Sequence, residues 1–353
     1  MAGTRKVTLI DVAVRSGVSA TTASYILNGR SAQMRIAADT EQRVRLAAAD
    51  LGYRPNRSAR SLRTATTKTI GVISDCVASG QYASRMLTGA SAAARLFGHL
   101  VLIGETEGDP DIEARLIQEM IDRQVDGIVY AVLTTATVTA PELLTQQRAV
   151  LLNCVDAASP LPAILPDELE GGRSAAAELV AADLTAGVYV VGEDPTPNAI
   201  AGKLRLEGIV ARLREAGHAL AGVVPCAWGV HAAYDALDGW LAGGARPAAL
   251  ICLNDRIAMG AYEALAVHGL RVPEDVSVVS FDGSELASWL RPEVTSVALP
   301  HAELGALAVQ TLMGTEQARS GVVRVPMTVT RAGSVRARGE ARPTTATPLG
   351  AEA

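Results

Sequence analysis

The sequence contains no long apolar run and no pattern typical of a secreted protein. No apolar stretch reaches the roughly 18 residues that a membrane-spanning helix needs. The N-terminus also lacks the apolar region and small-residue cleavage site of a signal peptide. These absences argue against an integral membrane protein and against a secreted one. We expect a soluble, cytoplasmic protein with no membrane partner.

Paired cysteines, clustered histidines and the common catalytic motifs are also absent. The cysteines are scattered without a CxxC pair and are expected to be reduced and mostly buried: Cys76, Cys154, Cys226 and Cys252. The five histidines show no metal-ligand spacing. The sequence has no Walker loop, HExxH motif, GxSxG elbow or Rossmann glycine pattern. We therefore predict a protein that is not an enzyme and that uses neither a cofactor nor a metal.

The charges that are present are unevenly distributed. Residues 1–66 hold 11 Lys and Arg against 4 Asp and Glu, whereas the remainder holds 21 basic and 33 acidic residues. A basic head on an acidic body favours a polyanionic partner for the head alone, although a solvated basic terminus would have the same composition. With 353 residues, of which 49% are hydrophobic, the chain is long enough for two or three domains.

The first 30 residues contain two short helical patterns joined by a tight turn. Thr8 and Asp11 can cap the first helix and Gly17 can end it, while Ser19 and Asn28 can bound the second helix. Small residues four positions apart would let the two helices cross closely. This spacing predicts a helix-turn-helix. Its second helix would present four side chains to a major groove: Ala20, Thr21, Ser24 and Tyr25.

A third helix and a short basic segment complete the head. The helix is predicted from about Asp39 to Leu51, with an expected buried side of Val44, Leu46, Ala47 and Leu51. The segment at 57–67 has an apolar face that includes Leu62, yet an isolated helix this short would barely form in water. One interpretation is a flexible linker. The other is a hinge that folds only on DNA, with Leu62 wedged between base steps in the minor groove.

From residue 68 onward, short apolar runs alternate with helical stretches. The runs are TIGVIS, HLVLIGE, VDGIVYAV, RAVLLNC, PAILP, GVYVVGE, GVVPCAW, PAALICLND and VSVVSFDG. This alternation predicts parallel sheets covered on both faces, and nine strands are too many for one core, so two lobes are expected. The predicted domains are a helix-turn-helix domain at 1–56, a hinge at 57–67, a body at 68–335 and a disordered tail at 336–353, which has no leucine heptad for tetramerisation.

Polar residues follow several of these runs, at the strand ends where such folds bind ligands. They are Asp75, Asn153, Asp167, Trp228, Asn254 with Asp255, and Asp282. Carboxylates and amides that converge with an indole are typical of sugar recognition, because they bind vicinal hydroxyls while the ring covers the apolar face of a pyranose. The alternative is that the Asp and Asn residues cap helices and that Trp228 belongs to the core.

The head resembles the LacI/GalR family of transcriptional regulators. The resemblance rests on VTLIDVAVRSGVSATTASYILNG, LGYRPN and ARSL, which occur in that order in the first 65 residues or so. It implies groove-reading roles for Thr21, Ser24 and Tyr25 and a minor-groove role for Leu62. It implies DNA-backbone contacts for Thr22, Asn28, Tyr53 and Asn56, and the cap residues Thr8 and Ser19 are also candidate DNA contacts. Tyr25 stands where the best-known member has an arginine, so the guanine contact of that arginine is absent.

The body resembles the same family from Ile70 to about Arg331. RLEGI, LICLNDRIAMGAYEAL and VPEDVSVVSFDGSELASWLRPEVTSV carry the match. They imply that Arg205, Asn254 and Asp282 hold the hydroxyls of an effector and that Trp228 stacks on it. Asp75 and Asp167 are weaker matches to the same site. Arg205 is alternatively a salt-bridge or surface residue, and the departure of GEDPTPNAIAGKLRL from the family's Ser/Thr-rich approach leaves the effector open.

Together these features predict an α/β protein with an all-α helix-turn-helix head. Its body is expected to be periplasmic-binding-protein-like, with two lobes of doubly wound parallel sheets. The expected function is a homodimeric repressor that binds double-stranded operator DNA under the control of a small-molecule effector, expected to be a sugar. A nucleobase effector and a corepressor remain alternatives within the family. A secreted sugar-binding protein and a sugar-handling enzyme are the alternatives outside it.

Overall fold

The computed structural model describes residues 7–54, 66–76, 84–194, 196, 198–314 and 321–339. Its contacts divide the chain into two units, Met1–Thr67, called the head, and Lys68–Ala353, called the body. Asn56 and Leu62 lie outside the described residues, as do most of the predicted hinge and the tail from residue 340. Among the described residues, no helix has the length and apolar character needed to cross a membrane.

In the described part of the head, three helices form: α1 (Leu9–Ser16), α2 (Ala20–Leu27) and α3 (Ala38–Asp50). Thr8 caps α1 as predicted, because its N–H donates to the Asp11 carboxylate at 2.8 Å and its hydroxyl accepts from the Asp11 N–H at 3.4 Å. Gly17 ends α1 at φ 68°, a left-handed conformation that glycine adopts without a Cβ clash. Ser19 caps α2 by accepting from the Thr22 N–H at 3.1 Å.

The three helices bury a small apolar core. Its fully buried members are Val12, Ala13, Ala23, Ile26, Val44, Ala47 and Ala48. The prediction that Leu46 is buried was wrong, since this side chain is 57% exposed and Ala48 is buried instead. Leu46 is two residues from Val44, and side chains two apart on a helix lie on different faces. The buried stripe of α3 therefore follows three- and four-residue spacing.

The first lobe of the body contains a six-stranded, all-parallel sheet in the order β11-β5-β4-β3-β1-β2. Its strands are β1 (Thr69–Ser74), β2 (Leu100–Glu105), β3 (Ile128–Thr137), β4 (Ala149–Val155), β5 (Ala163–Pro166) and β11 (Val322–Val325). Its helices are α4 (Ser84–Leu96), α5 (Pro110–Asp122), α6 (Glu142–Thr145) and α12 (His301–Leu312). The central strands are buried, as expected for a parallel sheet covered on both faces.

The second lobe contains a six-stranded sheet in the order β12-β10-β9-β8-β6-β7, parallel except for the β10–β12 pair. Its strands are β6 (Val188–Val191), β7 (Gly222–Val224), β8 (Ala249–Cys252), β9 (Ser277–Asp282), β10 (Thr295–Ala298) and β12 (Thr328–Thr330). Its helices are α7 (Glu168–Ala181), α8 (Ala201–Glu215), α9 (Val230–Ala242), α10 (Asp255–Val267) and α11 (Glu285–Trp289). The chain passes between the lobes after β5, β10 and β11.

The predicted fold class is confirmed, and each of the nine apolar runs forms a strand. Three further strands, β10, β11 and β12, were not predicted. They are only three or four residues long and contain Thr, Ser or Arg, so their apolar pattern is weak. Their pairing depends on the neighbouring strands of each sheet, which a local pattern does not report.

Glycines allow α7 and α8 to cross at close range, which brings the first turn of α7 against α8. A Cβ atom on Gly172 would collide with the backbone carbonyl of Arg205. We expect Gly172→Ala to destabilise the body by about 1–3 kcal/mol, because the two backbones must separate. In α9, a Cβ on Gly239 meets no atom within 4 Å, so Gly239→Ala should be neutral or stabilising by about 0.5–1 kcal/mol. Urea unfolding compares the two variants, and equal effects would contradict the close-crossing explanation.

Candidate functional site

One face of α2 in the head is polar and contains no acidic residue. Thr21 is exposed on it, and Ser24 and Tyr25 are partly exposed. The Arg30 guanidinium lies 5.8 Å from the centre of the Tyr25 ring and adds a positive charge beside it. A polar helix face of this kind, without a carboxylate to repel phosphate, suits the major groove of DNA.

The other head candidates are mostly engaged in holding the helices. The Ser19 and Thr22 hydroxyls lie 2.9 Å apart at the start of α2. The Asn28 amide donates to the Ser24 carbonyl at 2.7 Å at the end of α2. Tyr53 is partly buried and packs against the head core, and burial raises the pKa of its hydroxyl. These side chains therefore position α2, and their contacts to DNA stay a prediction.

Arg205 of α8 is the centre of a buried polar network in the body, with a side chain only 1% exposed. Its Nε and Nη2 atoms donate to the Glu168 carboxylate at 2.7 and 3.3 Å, and its Nη1 atom donates to the Leu253 carbonyl. Its guanidinium lies 4.6 Å from the centre of the Phe281 ring and 5.3 Å from that of Trp228. Arg205 thus forms the buried salt bridge that was the alternative to direct effector contact.

The network continues from the second lobe into the first. The Thr135 hydroxyl of β3 lies 2.8 Å from Glu168 Oε1 and 2.7 Å from Asn153 Oδ1. The Asn153 amide of β4 donates to the Val132 and Leu133 carbonyls at 3.0 and 2.9 Å. Because β3 and β4 belong to the first lobe and Arg205 to the second, Glu168 links the two lobes through hydrogen bonds.

Asp282, at the end of β9, is the predicted site residue with the most perturbed ionisation. Burial raises its pKa, the negative charge of Asp255 adds to this effect, and Arg205 and Arg256 only partly oppose it, so that the pKa rises to about 8. Its Oδ1 atom lies 3.9 Å from Arg205 Nη1, which is already committed to Leu253. The side chain remains 13% exposed, so a ligand can reach a carboxyl that is largely protonated at neutral pH.

The Arg205 guanidinium itself stays charged. Burial lowers the pKa of Arg205, but the neighbouring Glu168 carboxylate and the charge of Asp282 outweigh it, so the pKa lies above its ordinary value. Asp255 is held by the hydroxyls of Ser280, Ser284 and Ser296, while burial raises its pKa. The acidic side of the site is therefore partly neutral, and its one firm ion pair is Arg205 with Glu168.

Two polar groups beside this network have no hydrogen-bond partner in the part of the chain that the structure describes. Asn254 is fully buried and caps α10, because its Oδ1 accepts from the Ile257 N–H at 2.7 Å, yet its Nδ2 has no hydrogen-bond partner. Trp228 Nε1 is also buried without a partner. The Trp228 ring packs toward Gly202 of α8 and belongs partly to the second-lobe core. Buried donors without partners are costly unless a ligand or water satisfies them.

The carboxylates of Asp75 and Asp167 accept hydrogen bonds from backbone N–H groups. The Asp75 carboxylate accepts from the Leu133 N–H at 3.0 and 3.2 Å and from the Cys76 N–H at 2.6 Å. Asp167 caps α7 by accepting from the Glu170 N–H at 3.2 Å. Both carboxylates thus have backbone partners, as in the helix-capping or loop-capping alternative, and neither lines the cavity described next.

A cavity of about 440 Å³ opens between residues of the two lobes. It is lined by Ser84, Arg85, Asp282, Gly283, Ser284, Glu285, Leu286, Trp289 and His301. Of the predicted site residues, only Asp282 is in this lining. Sequence reasoning missed Glu168, Thr135, Arg85 and His301. For Glu168 a signal existed, since it follows β5 directly within a helix of small residues.

The described residues contain no cluster of His, Cys, Asp and Glu suited to a metal ion. No disulfide joins the four cysteines, all of which lie in described segments; Cys154 and Cys252 are buried, and Cys76 and Cys226 are partly buried. Burial raises the pKa of each of these thiols, that of Cys226 to about 11. They are therefore protonated and unreactive at neutral pH.

Comparison with known protein families gives one match in the head and one in the body. Residues 8–56 match the family described as bacterial regulatory proteins, lacI family, and residues 176–335 match the periplasmic binding protein-like domain. The ribose operon repressor of Haemophilus influenzae is 29% identical over 87% of this chain and 91% of its own length. Catabolite control protein A of Priestia megaterium is 27% identical over 91% of this chain and 96% of its own length.

Solved structures agree with these matches. A crystal structure of the lac repressor dimer bound to operator and the anti-inducer ONPF has a TM-score of 0.80 and 25% sequence identity. The alignment covers 94% of this chain and 100% of the lac repressor chain. The common fold therefore includes both the head and the two-lobed body.

Proposed function

Since this chain belongs to the lacI family of bacterial regulatory proteins, we propose that it represses transcription by binding operator DNA under the control of a small carbohydrate. The relatives are transcriptional regulators by name, which supports a regulator rather than an enzyme. A DNA partner also implies that the protein acts in the cytoplasm. The observation that carries the sugar-controlled part is the buried Arg205 network, which reaches both lobes beside an open cavity.

The proposed DNA-binding part is the head at 1–56, with Thr21, Ser24 and Tyr25 reading the major groove. Thr8, Ser19, Thr22, Asn28, Tyr53 and Asn56 are the proposed contacts to the DNA backbone or positioners of α2. Segment 57–67 is the proposed hinge, with Leu62 inserting into the minor groove. Backbone contacts would supply much of the affinity and make it fall with salt, whereas base contacts would supply the sequence preference.

We further propose a homodimer, in which each head reads one half of a pseudo-palindromic operator. The edge strand β2 supports an interface in the first lobe, since Leu100, Leu102 and Ile103 are all exposed on it, as is Leu96 of the preceding helix. An exposed apolar edge strand is otherwise a liability for a soluble protein, and a second copy of the chain would cover it. The related lac repressor structure is a dimer on its operator.

The effector is proposed to bind between the lobes. Asp282 lines the cavity, and its Oδ1 atom lies 3.9 Å from Nη1 of the buried Arg205. Asn254 and Trp228 lie outside this lining, and their buried N–H groups have no hydrogen-bond partner among the described residues. The ribose operon repressor is named for a sugar operon, which supports this ligand class. A ligand that prefers one lobe arrangement would shift the population of DNA-binding dimers, and effector and operator would then change each other's affinity reciprocally.

Two measurements on the full chain test this proposal. Selection from random duplexes should yield a palindromic site, and affinity for it should fall steeply between low and high salt. A panel of monosaccharides, disaccharides and purines, screened by thermal shift, should contain a sugar that raises the melting temperature and changes operator affinity. If a purine rather than a sugar has these effects, the effector is a nucleobase. If the ligand strengthens operator binding, the effector is a corepressor. The absence of any selected duplex would contradict the repressor itself.

Replacing Tyr25 by alanine should weaken binding to the selected operator roughly tenfold, the value of one base contact worth about 1.4 kcal/mol. Binding to random duplex should change by less than about twofold, because the backbone contacts remain. Gln42→Ala, an exposed change on α3, is the matched control and should leave both affinities unchanged. Fluorescence anisotropy with both duplexes measures this, and an equal loss on both would assign Tyr25 to non-specific binding.

A further inference from the structure

The cavity between the lobes has walls of different charge. The first-lobe wall consists of Ser84 and Arg85, at the start of α4, and His301, at the start of α12. The second-lobe wall consists of the turn after β9 and helix α11, including Asp282 and Glu285. The carboxylates therefore lie on one wall and the basic side chains on the other.

The basic wall has no anionic partner among the described residues. No carboxylate there lies within 4.0 Å of the Arg85 guanidinium. Asp282 is directed toward Arg205 instead, at 3.9 Å. Glu285 is on the opposite wall and also makes no ion pair with Arg85 within that distance. Arg85 is thus an exposed guanidinium at the edge of the cavity, with no ion pair to any described carboxylate.

The ionisation of His301 is affected by nearby arginines. Burial lowers the pKa of its imidazole, and the charges of Arg205 and Arg85 lower it further, to about 4. The ring is therefore neutral at pH 7, although it faces a polar cavity. Because Arg205 is already paired with Glu168, the cation that could stabilise a negatively charged group at this point is Arg85.

We propose that this basic wall, formed by Arg85 and His301, receives an anionic group of the effector, which is therefore an acidic sugar carrying a carboxylate or a phosphate. The inference rests on the proposed function and specifies the ligand class of the same site. The hydroxyls of the sugar bind on the opposite wall at Asp282, while its acid group accepts hydrogen bonds from Arg85. A cavity of about 440 Å³ is in the range of small-molecule sites and holds a hexose with one such group.

Matched pairs of neutral and acidic sugars test the ligand class on the full-length chain. One set of probes is glucose and its acidic derivatives gluconate and glucose 6-phosphate. The other set is ribose and its acidic derivatives ribonate and ribose 5-phosphate. Isothermal titration calorimetry gives a Kd for each, and at least one acid should bind tenfold or more tightly than its neutral parent. Comparison of the carboxylate and phosphate derivatives shows which of these two anionic groups the site prefers.

Variants assign the effect to the basic wall. Arg85→Gln should weaken binding of the preferred acid at least tenfold and leave binding of the neutral parent within about twofold. Arg95→Gln, an exposed change on the same helix, is the control and should alter neither.

Neutral sugars that bind as well as every acid, or acid binding that does not need Arg85, would overturn the inference and leave carbohydrate control intact. If no probe of either class binds or alters operator affinity, the proposed carbohydrate control itself is contradicted.

Discussion

Replacing Arg205 by methionine should destabilise the body by about 3–5 kcal/mol, because it leaves the Glu168 carboxylate buried without its partner. Both side chains are 1% exposed, so water cannot compensate for the lost ion pair. Glu168→Met should have a comparable cost, since it leaves the guanidinium buried near Asp282, which is 3.9 Å away and only partly ionised. Chemical unfolding of each variant in urea measures these losses.

The double variant separates charge from packing. Arg205→Met combined with Glu168→Met removes both charges and fills similar volume, and its stability should return to within about 2 kcal/mol of the parent. Arg173→Ala breaks exposed ion pairs with Glu170 and Glu215 on the same two helices and is the control, with little expected change. If the double variant is as unstable as the sum of the single variants, the ion pair is not the cause of the losses.

The double variant also tests how Arg205 acts on the effector. It should bind no effector, although it is folded, because the charged network behind Asp282 and its hydrogen bond to Thr135 are gone. Operator binding should persist, since the head is a compact unit with its own core, distinct from the body that carries both substitutions. A folded double variant that still binds effector would limit Arg205 to a structural role.

Asp282→Asn should stabilise the effector-free body while weakening effector binding by roughly 2- to 12-fold, the value of about 0.5–1.5 kcal/mol for a hydrogen bond between neutral groups. The stability of the variant should increase because burial and the charge of Asp255 disfavour the ionised form of Asp282, whereas an amide of the same shape carries no charge. The change in stability at pH 8 should be at least about 1.4 kcal/mol, the value of a single pKa unit. Thermal unfolding with and without the effector measures both effects.

The pH dependence of this stability difference tests whether the ionisation of Asp282 causes it. The folded pKa of Asp282, about 8, lies above its ordinary value of 3.8, so the folded state binds the proton more tightly than the unfolded state. Parent stability from this group is therefore complete below the ordinary pKa and falls as pH rises toward 8. The variant should lack this fall, so its advantage should grow from pH 4 to pH 8. A constant difference across that range would contradict the raised pKa.

Local signals in the sequence sufficed for the elements of the head. Thr8, Gly17 and Ser19 act through neighbours three or four residues away, and their capping was predicted correctly. In the body, continuous apolar runs identified nine strands and hence the two lobes. Leu46 was misassigned because a short helix offers few turns over which to fix the phase of its buried stripe.

The site could be predicted only in part, because its contacts join residues far apart in the chain. Asn254 and Asp282 were proposed as site residues from their positions after strands, and Arg205 from a resembling motif; of these, Asp282 lines the cavity. Glu168 as the partner of Arg205 is 37 residues away, and only the crossing of α7 and α8 brings them together.

The sequence by itself determined the caps of the first two head helices and nine strands of the body, since those signals are short-range, and it separated a basic head from an acidic body. The tertiary structure decided which charges are paired. It paired Arg205 with Glu168 and placed no described carboxylate within ion-pair distance of Arg85, because ionic partners depend on burial and on distances between elements.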